Sequence, residues 1–325
     1  MNDLHERYAN FYTDFAFKKL FGTEVNKDLL ISFLNALLHG EETIKDLTFL
    51  NSEHLGTQEP NRRAVFDVYC ENDRGEKILV EMQKAEQQFF KDRSIFYSTF
   101  PIREQAKRGT EWNYKLKTVY TIGILNFKFD DSDSDYYHHE VKLMDTRTHE
   151  VFYDKLTYIY LEMPKFTKHE DELQTMFDKW MYAIRNLSTL LDRPQALYET
   201  VFDRLFEVAE ISKFNYVELS EYEDSLKVYR DWYSITETAV NKAVTKAVKK
   251  AVEEAKEEAE VAVKEAVKEA VEEAKVAVKE AKVEAEAEGL AKGIKKTALN
   301  LKRLGISVKD IQQATGLSEE DIELL

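Results

Sequence analysis

Two carboxylates hold the chemistry most legible in this chain. In the segment VFDVYCENDRGEKILVEMQ, Asp67 and Glu81 lie in two strand-like runs flanking Asn72-Asp73-Arg74-Gly75, residue types that suit a tight turn. A hairpin symmetric about Arg74 sets Asp67 directly across from Glu81, and Val65 across from Gln83. Alternation along a strand puts Val65, Asp67 and Tyr69 on one face, as it does Leu79, Glu81 and Gln83. Facing carboxylates with β-carbons roughly 5 Å apart repel, and burial adds the cost of lost hydration. A divalent cation between them reverses the sign. Mg²⁺ takes one or two carboxylates plus waters and substrate phosphate, polarises a phosphoryl oxygen and lowers the pKa of a bound water. Solvent-facing acids on an exposed hairpin are the plain alternative. Against it, Val65, Phe66, Val68, Ile78, Leu79, Val80 and Met82 make both strands apolar on both faces.

The elements that must position this pair read as mixed α/β. Leu29, Leu30, Phe33, Leu34, Leu37 and Leu38 recur at helical spacing in DLLISFLNALLHG, which ends on Gly40. DLTFL, AVFDVYC and KILVEMQ suit strands. LKTVYTIGILNF is apolar along most of its length, as a strand buried on both faces should be. A helix is expected over roughly Phe89 to Lys107, kinked or interrupted at Pro101. Another strand follows at LTYIYLEM, then helices over Glu170 to Leu191 and Gln195 to Ala209. Together these predict a mixed central sheet between helical layers. DDSDSDYYHHE, from Asp130 to Glu140, reads as an exposed acidic loop or strand edge. His138 and His139 could ligate a metal, but adjacent strand residues point to opposite faces.

The 325 residues include 17 Tyr, 19 Phe and 3 Trp, too many aromatics for a disordered chain, and none follows Tyr233. Thr236 to Glu288 is instead low-complexity Ala/Val/Glu/Lys without Gly or Pro, expected to form a long helix, a rod of roughly 80 Å. VAVKEA recurs fifteen residues apart, so its Ala/Val stripe drifts from a strict heptad. The arm is expected to self-associate, giving a homo-oligomer through residues 236–288; a solvated single helix is the alternative. Near the end, Ser307 with Asp310 and Ser318 with Asp321 are S-x-x-D helix starts around a turn at Thr315-Gly316. The second of these helices opens Glu319-Glu320-Asp321, which suits a capping or oligomerising hairpin better than a helix that reads DNA. The expected division is 1–234, 235–288 and 289–325.

The single cysteine, Cys70, excludes a disulfide framework and a Cys-based zinc site. No signal peptide and no membrane span is read, so a soluble, cytoplasmic protein is expected. The net charge is -15, yet Met1 to Lys128 holds 18 Lys+Arg against 19 Asp+Glu, so the acidity belongs to the later chain. Local basic runs occur at Lys18-Lys19, Arg62-Arg63 and Lys107-Arg108. Charge therefore neither supports nor forbids a nucleic-acid substrate.

TDFAFKKLFG near the start, the D…ExQ hairpin and the tail ISVKDIQQATGLSEEDI together resemble the PD-(D/E)XK nuclease-family transposases, also called recombination-promoting nucleases. The resemblance covers Asp14 to about Lys168, and the tail more loosely. It implies a restriction-endonuclease-like core and Mg²⁺-dependent DNA cleavage, with Mn²⁺ as an alternative metal. It maps Asp67, Glu81 and Gln83 onto three catalytic positions, with Asp67 and Glu81 holding the metal and Gln83 positioning water. Asp14 looks like a fourth acidic member, and Lys18, Arg93 and Tyr97 like phosphate-side partners. The wider superfamily carries Lys where this chain has Gln83. An amide orients water but lacks the ammonium's charge, which Lys18, Lys84 or Arg93 could replace in space. The rival expectation is a non-catalytic, nuclease-like scaffold displayed on the helical arm; action on RNA would share the same metal chemistry.

Overall fold

The computed structural model describes residues 6–38, 43–51, 53–54, 64–85, 89–106, 113–129 and 135–325. The chain divides into two compact units, Met1–Thr236 and Glu237–Leu325.

The first unit is built on a six-stranded mixed sheet. Its strands are β1 (Leu47–Phe49), β4 (Val68–Asn72), β5 (Lys77–Gln83), β6 (Val119–Leu125), β7 (His138–Met144) and β8 (Val151–Glu162), in the spatial order β1-β4-β5-β6-β8-β7. β5, β6 and β8 run parallel, and the remaining pairings are antiparallel. A separate two-stranded sheet joins β2 (Glu53–His54) to β3 (Ala64–Val65). The sequence VYTIGIL of β6 is buried at every position, because helices cover both faces of the sheet.

On one face lie α1 (Asp14–Phe21), α2 (Lys27–Leu37), α4 (Met176–Asn186) and α5 (Thr200–Ala209). They bury Phe17, Leu30, Phe33, Trp180 and Phe202 against Val68, Ile78, Val80, Ile122 and Ile159. Each Val or Leu so buried contributes about 1.5–3 kcal/mol. On the other face, α3 (Phe90–Glu104) packs over Phe66, Tyr69, Leu79 and Val119 through Tyr97 and Phe100. Ser94 and Ser98 of α3 reach through to the hydroxyls of Tyr160 (2.6 Å) and Tyr158 (2.7 Å), tying α3 to β8. α3 is not interrupted by Pro101, which sits in its last turn, where one intrahelical bond is lost instead of a run of them.

The expected hairpin is present in its predicted register: Val68 pairs with Val80, Tyr69 with Leu79 and Cys70 with Ile78. Gly75 takes φ +78, the left-handed conformation that the turn requires, and its N–H donates to Asn72 O at 2.9 Å. The run AVFDVYC, however, is not one strand. Pairing breaks at Phe66 and Asp67, and Val65 pairs with Glu53 of β2 instead of with Gln83. Gln83 pairs with Leu125 of β6. Residues 130–134 of the acidic stretch, and the basic pairs Arg62-Arg63 and Lys107-Arg108, lie outside the described residues. His138 and His139 open the edge strand β7, where His139 Nε2 bonds the buried Glu162 at 2.5 Å.

The Ala/Val/Glu/Lys run falls within α6 (Tyr216–Arg303), longer at both ends than the composition alone marked. The first turns of α6 belong to the first unit, where Tyr222 is buried beside Ala9 and Ala16. In the second unit, α7 (Val308–Thr315) and α8 (Glu319–Glu323) fold back on the end of α6. Ser307 and Ser318 cap them, and Ala298, Ile311 and Ile322 form a small core.

Candidate active site

The break at Phe66–Asp67 is what brings the carboxylates together. Freed from the ladder, Asp67 turns its side chain along β5, and its Oδ2 accepts the Met82 N–H at 2.8 Å. Its own N–H donates to Glu81 Oε1 at 3.3 Å. Gln83, two residues along the same face, donates its Nε2 to Glu81 Oε2 at 3.0 Å. Arg93 of α3 lies 3.9 Å from that same oxygen, its guanidinium stacked 5.0 Å above the Tyr97 ring. Asp67, Glu81 and Gln83 are thus one hydrogen-bonded group.

Glu81 and Gln83 are only 6 % and 5 % exposed. Burial pushes the carboxyl of Glu81 well above the usual range, and the neighbouring Asp67 pushes it further; Arg93 opposes the rise. Burial likewise raises Asp67. The Met82 amide counters that rise, Asp14 adds to it, and Lys18 and Lys84 act with the amide. Both acids are thus shifted toward their neutral forms in the folded, metal-free protein.

A cleft of about 290 Å³ opens over this group, lined by Asp14, Asp67, Glu81, Gln83, Lys84 and Arg93. Asp14 is the first residue of α1, behind the N-cap Thr13, and pairs with Lys18 one turn on at 3.2 Å. Lys18 lines a wider adjoining cleft of about 830 Å³ with Lys19, Asp14 and Asp67. Tyr97 is turned away from both. Its ring packs edge-on against Phe66 at 5.3 Å, so it supports Arg93 from behind.

The outer wall contains two residues that the sequence had not marked, Val228 and Trp232 of α6. The one signal for them was the run of aromatics that ends at Tyr233. Gly123 was also unmarked. It pairs with Glu81 across the parallel ladder, and a β-carbon there would lie 3.1 Å from Tyr160 and 3.3 Å from Phe90. Its missing side chain lets both rings close over the sheet beside Glu81.

A family model described as PD-(D/E)XK nuclease family transposase matches residues 11–239. The chain belongs to that family. The match takes in the whole mixed sheet, its helices and both walls of the cleft, and the fold is the restriction-endonuclease-like α/β architecture of these nucleases. It extends past Lys168, where the motif-level resemblance faded, and stops before the tail hairpin of α7 and α8. Comparisons with curated proteins and with solved structures returned no match. Among the described residues, no three acidic, His or Cys side chains converge as a metal-binding cluster. The donor set that a PD-(D/E)XK nuclease could offer a metal here is the Asp67–Glu81 pair. Two like-charged, desolvated carboxylates fit a hard divalent cation that fills its remaining positions with water and phosphate. No helix among the described residues is long and apolar enough to cross a membrane.

Proposed function

We propose that this protein is a divalent-metal-dependent DNA endonuclease acting in recombination or transposition, with cytoplasmic DNA as its substrate. The observation that carries the reading is the Asp67–Glu81 pair, held by the 3.3 Å bond from one backbone to the other's carboxylate and desolvated at the floor of a cleft. Asp67 and Glu81 would hold Mg²⁺ or Mn²⁺. When bound, such an ion polarises a phosphoryl oxygen and makes a water nucleophilic at neutral pH. The chain's own residues do the rest. Gln83 commits its Nε2 to Glu81, which fixes the carboxylate and leaves Gln83 Oε1 to accept a hydrogen bond from the attacking water. Arg93, braced on Tyr97, supplies the positive charge that an ammonium at position 83 would have supplied. Asp14 and Lys18 border the mouth, where the lysine can meet a flanking phosphate.

A non-catalytic scaffold is the second reading, favoured by the amide at Gln83 where the superfamily has an ammonium. Titration of Mg²⁺ or Mn²⁺ by calorimetry separates the two. The nuclease reading requires binding that is lost in Asp67→Ala and Glu81→Ala; heat-silent wild-type protein would favour the scaffold.

A further inference from the structure

The part of α6 within the second unit carries a long apolar face that its own chain leaves uncovered. From Val240 to Val283 its valines are 48–69 % exposed. The face has a definite geometry. Ala recurs every fourth residue from Ala239 to Ala259, then at spacings of 3, 4, 4, 4, 3 and 4 up to Ala281. The second stretch averages about 3.67 residues per step, the period of an 11-residue repeat, and the first is longer still. A period above 3.6 winds right-handed around the helix. A partner that follows it must cross with right-handed supercoil, and Ala at every turn lets the axes approach to about 8 Å.

Charge says which partner. From 238 to 252 the helix has Lys242, Lys246, Lys249 and Lys250 and no acid. From 253 to 260 it has five Glu and one Lys. Among the described residues, Lys250 is the one member of the basic block with an acidic partner, Glu254 at 3.3 Å. Reflected about Val252, the basic stretch 238–252 faces 252–266, which holds six Glu and two Lys, so this part of the helix is complementary to itself reversed. Parallel in-register pairing sets lysines on lysines and glutamates on glutamates; antiparallel pairing sets each block on its opposite.

We propose that residues 239–265 of α6 pair with the same segment of a second copy, antiparallel, with right-handed crossing and a two-fold axis near Val252. Val240 then lies beside Val263 of the second copy. A membrane surface suits this face less well: it has no Leu or aromatic side chain.

The test uses the full chain, whose Cys70 is fully buried and leaves introduced cysteines as the reactive ones. Under mild oxidation Val252→Cys should form a disulfide-linked dimer. Val240→Cys alone should not, whereas an equimolar mixture of Val240→Cys and Val263→Cys should. By sedimentation equilibrium, reversing the four lysines to Glu should weaken self-association by about tenfold or more without loss of helicity by circular dichroism. Mixing that variant with one in which Glu253, Glu254, Glu257 and Glu258 are changed to Lys should restore the dimer. Linkage of Val240→Cys to itself as readily as Val252→Cys would establish a parallel pair and overturn the proposal. So would a wild-type monomer at every attainable concentration, or a monomer that binds anionic vesicles through this face.

Discussion

Asp67→Asn should make the metal-free protein more stable. The substitution keeps the shape of the side chain, and its amide oxygen can still accept the Met82 N–H that now reaches Asp67 Oδ2 at 2.8 Å. What it removes is one charge of a desolvated, mutually repelling pair. Both carboxyls titrate higher in the folded chain than in the unfolded one. Between those two ranges the native state holds more protons than the unfolded state, so stability falls as pH rises. It is highest below the ordinary carboxylate range and lowest once both acids are ionised. Each unit of upward shift costs about 1.4 kcal/mol at high pH. Allowing for the edge of the cleft, where Asp67 is partly solvated, the gain at pH 8.5 should be about 1–2 kcal/mol, or roughly 2–8 °C in midpoint for a unit of this size. A saturating divalent ion reverses the order, because a ligand at about 100 times its Kd adds about 2.7 kcal/mol to wild type alone. Thermal melts of wild type and Asp67→Asn at pH 5 and 8.5, with chelator and with Mg²⁺, give four comparisons. If folded Asp67→Asn melts below wild type at pH 8.5 in chelator, the pair is not in electrostatic conflict and the argument for a cation between its members fails.

Substitutions at three other positions probe the surroundings of the pair. Gln83→Lys points an ammonium at Glu81, so it should lower the Glu81 pKa and raise cleavage by about tenfold if the missing charge limits the reaction; single-turnover rates read this directly. Tyr97→Phe should leave cleavage within about twofold, whereas Tyr97→Ala should cost about 2–4 kcal/mol in urea unfolding, because its ring packs on Phe66 and under Arg93. Gly123→Ala should cost about 1–3 kcal/mol by crowding Tyr160 and Phe90, and should lower cleavage more than stability because the strain falls beside Glu81; paired melts and rates separate the two effects.

The hairpin was legible because its determinants are local. Apolar alternation and the turn residues Asn72 to Gly75 set the register, so the pairing of Val68 with Val80 and of Tyr69 with Leu79, next to Asp67 and Glu81, followed from counting. The break at Phe66 was not legible, since it depends on β2, a partner distant in sequence that captures Val65. The edge strand β7 was legible only at its start, where His138 to Glu140 fell in a stretch read as a loop or strand edge; its continuation to Met144 was not marked because HHEVKLM is half polar, as an exposed edge permits. Glu162 passed unnoticed at the end of an apolar strand. Its burial is intelligible only with Lys165 at 3.1 Å and His139 in place. Trp232 and Val228 joined the cleft through the packing of α6 on α1, which no local pattern encodes.

The most direct measurement is cleavage of supercoiled plasmid by purified wild type and Glu81→Ala, side by side, with Mg²⁺, Mn²⁺ or chelator. Wild type should nick the plasmid only when metal is present, and a folded Glu81→Ala should leave it intact under all three conditions. Equal nicking by the two proteins would place the chemistry elsewhere.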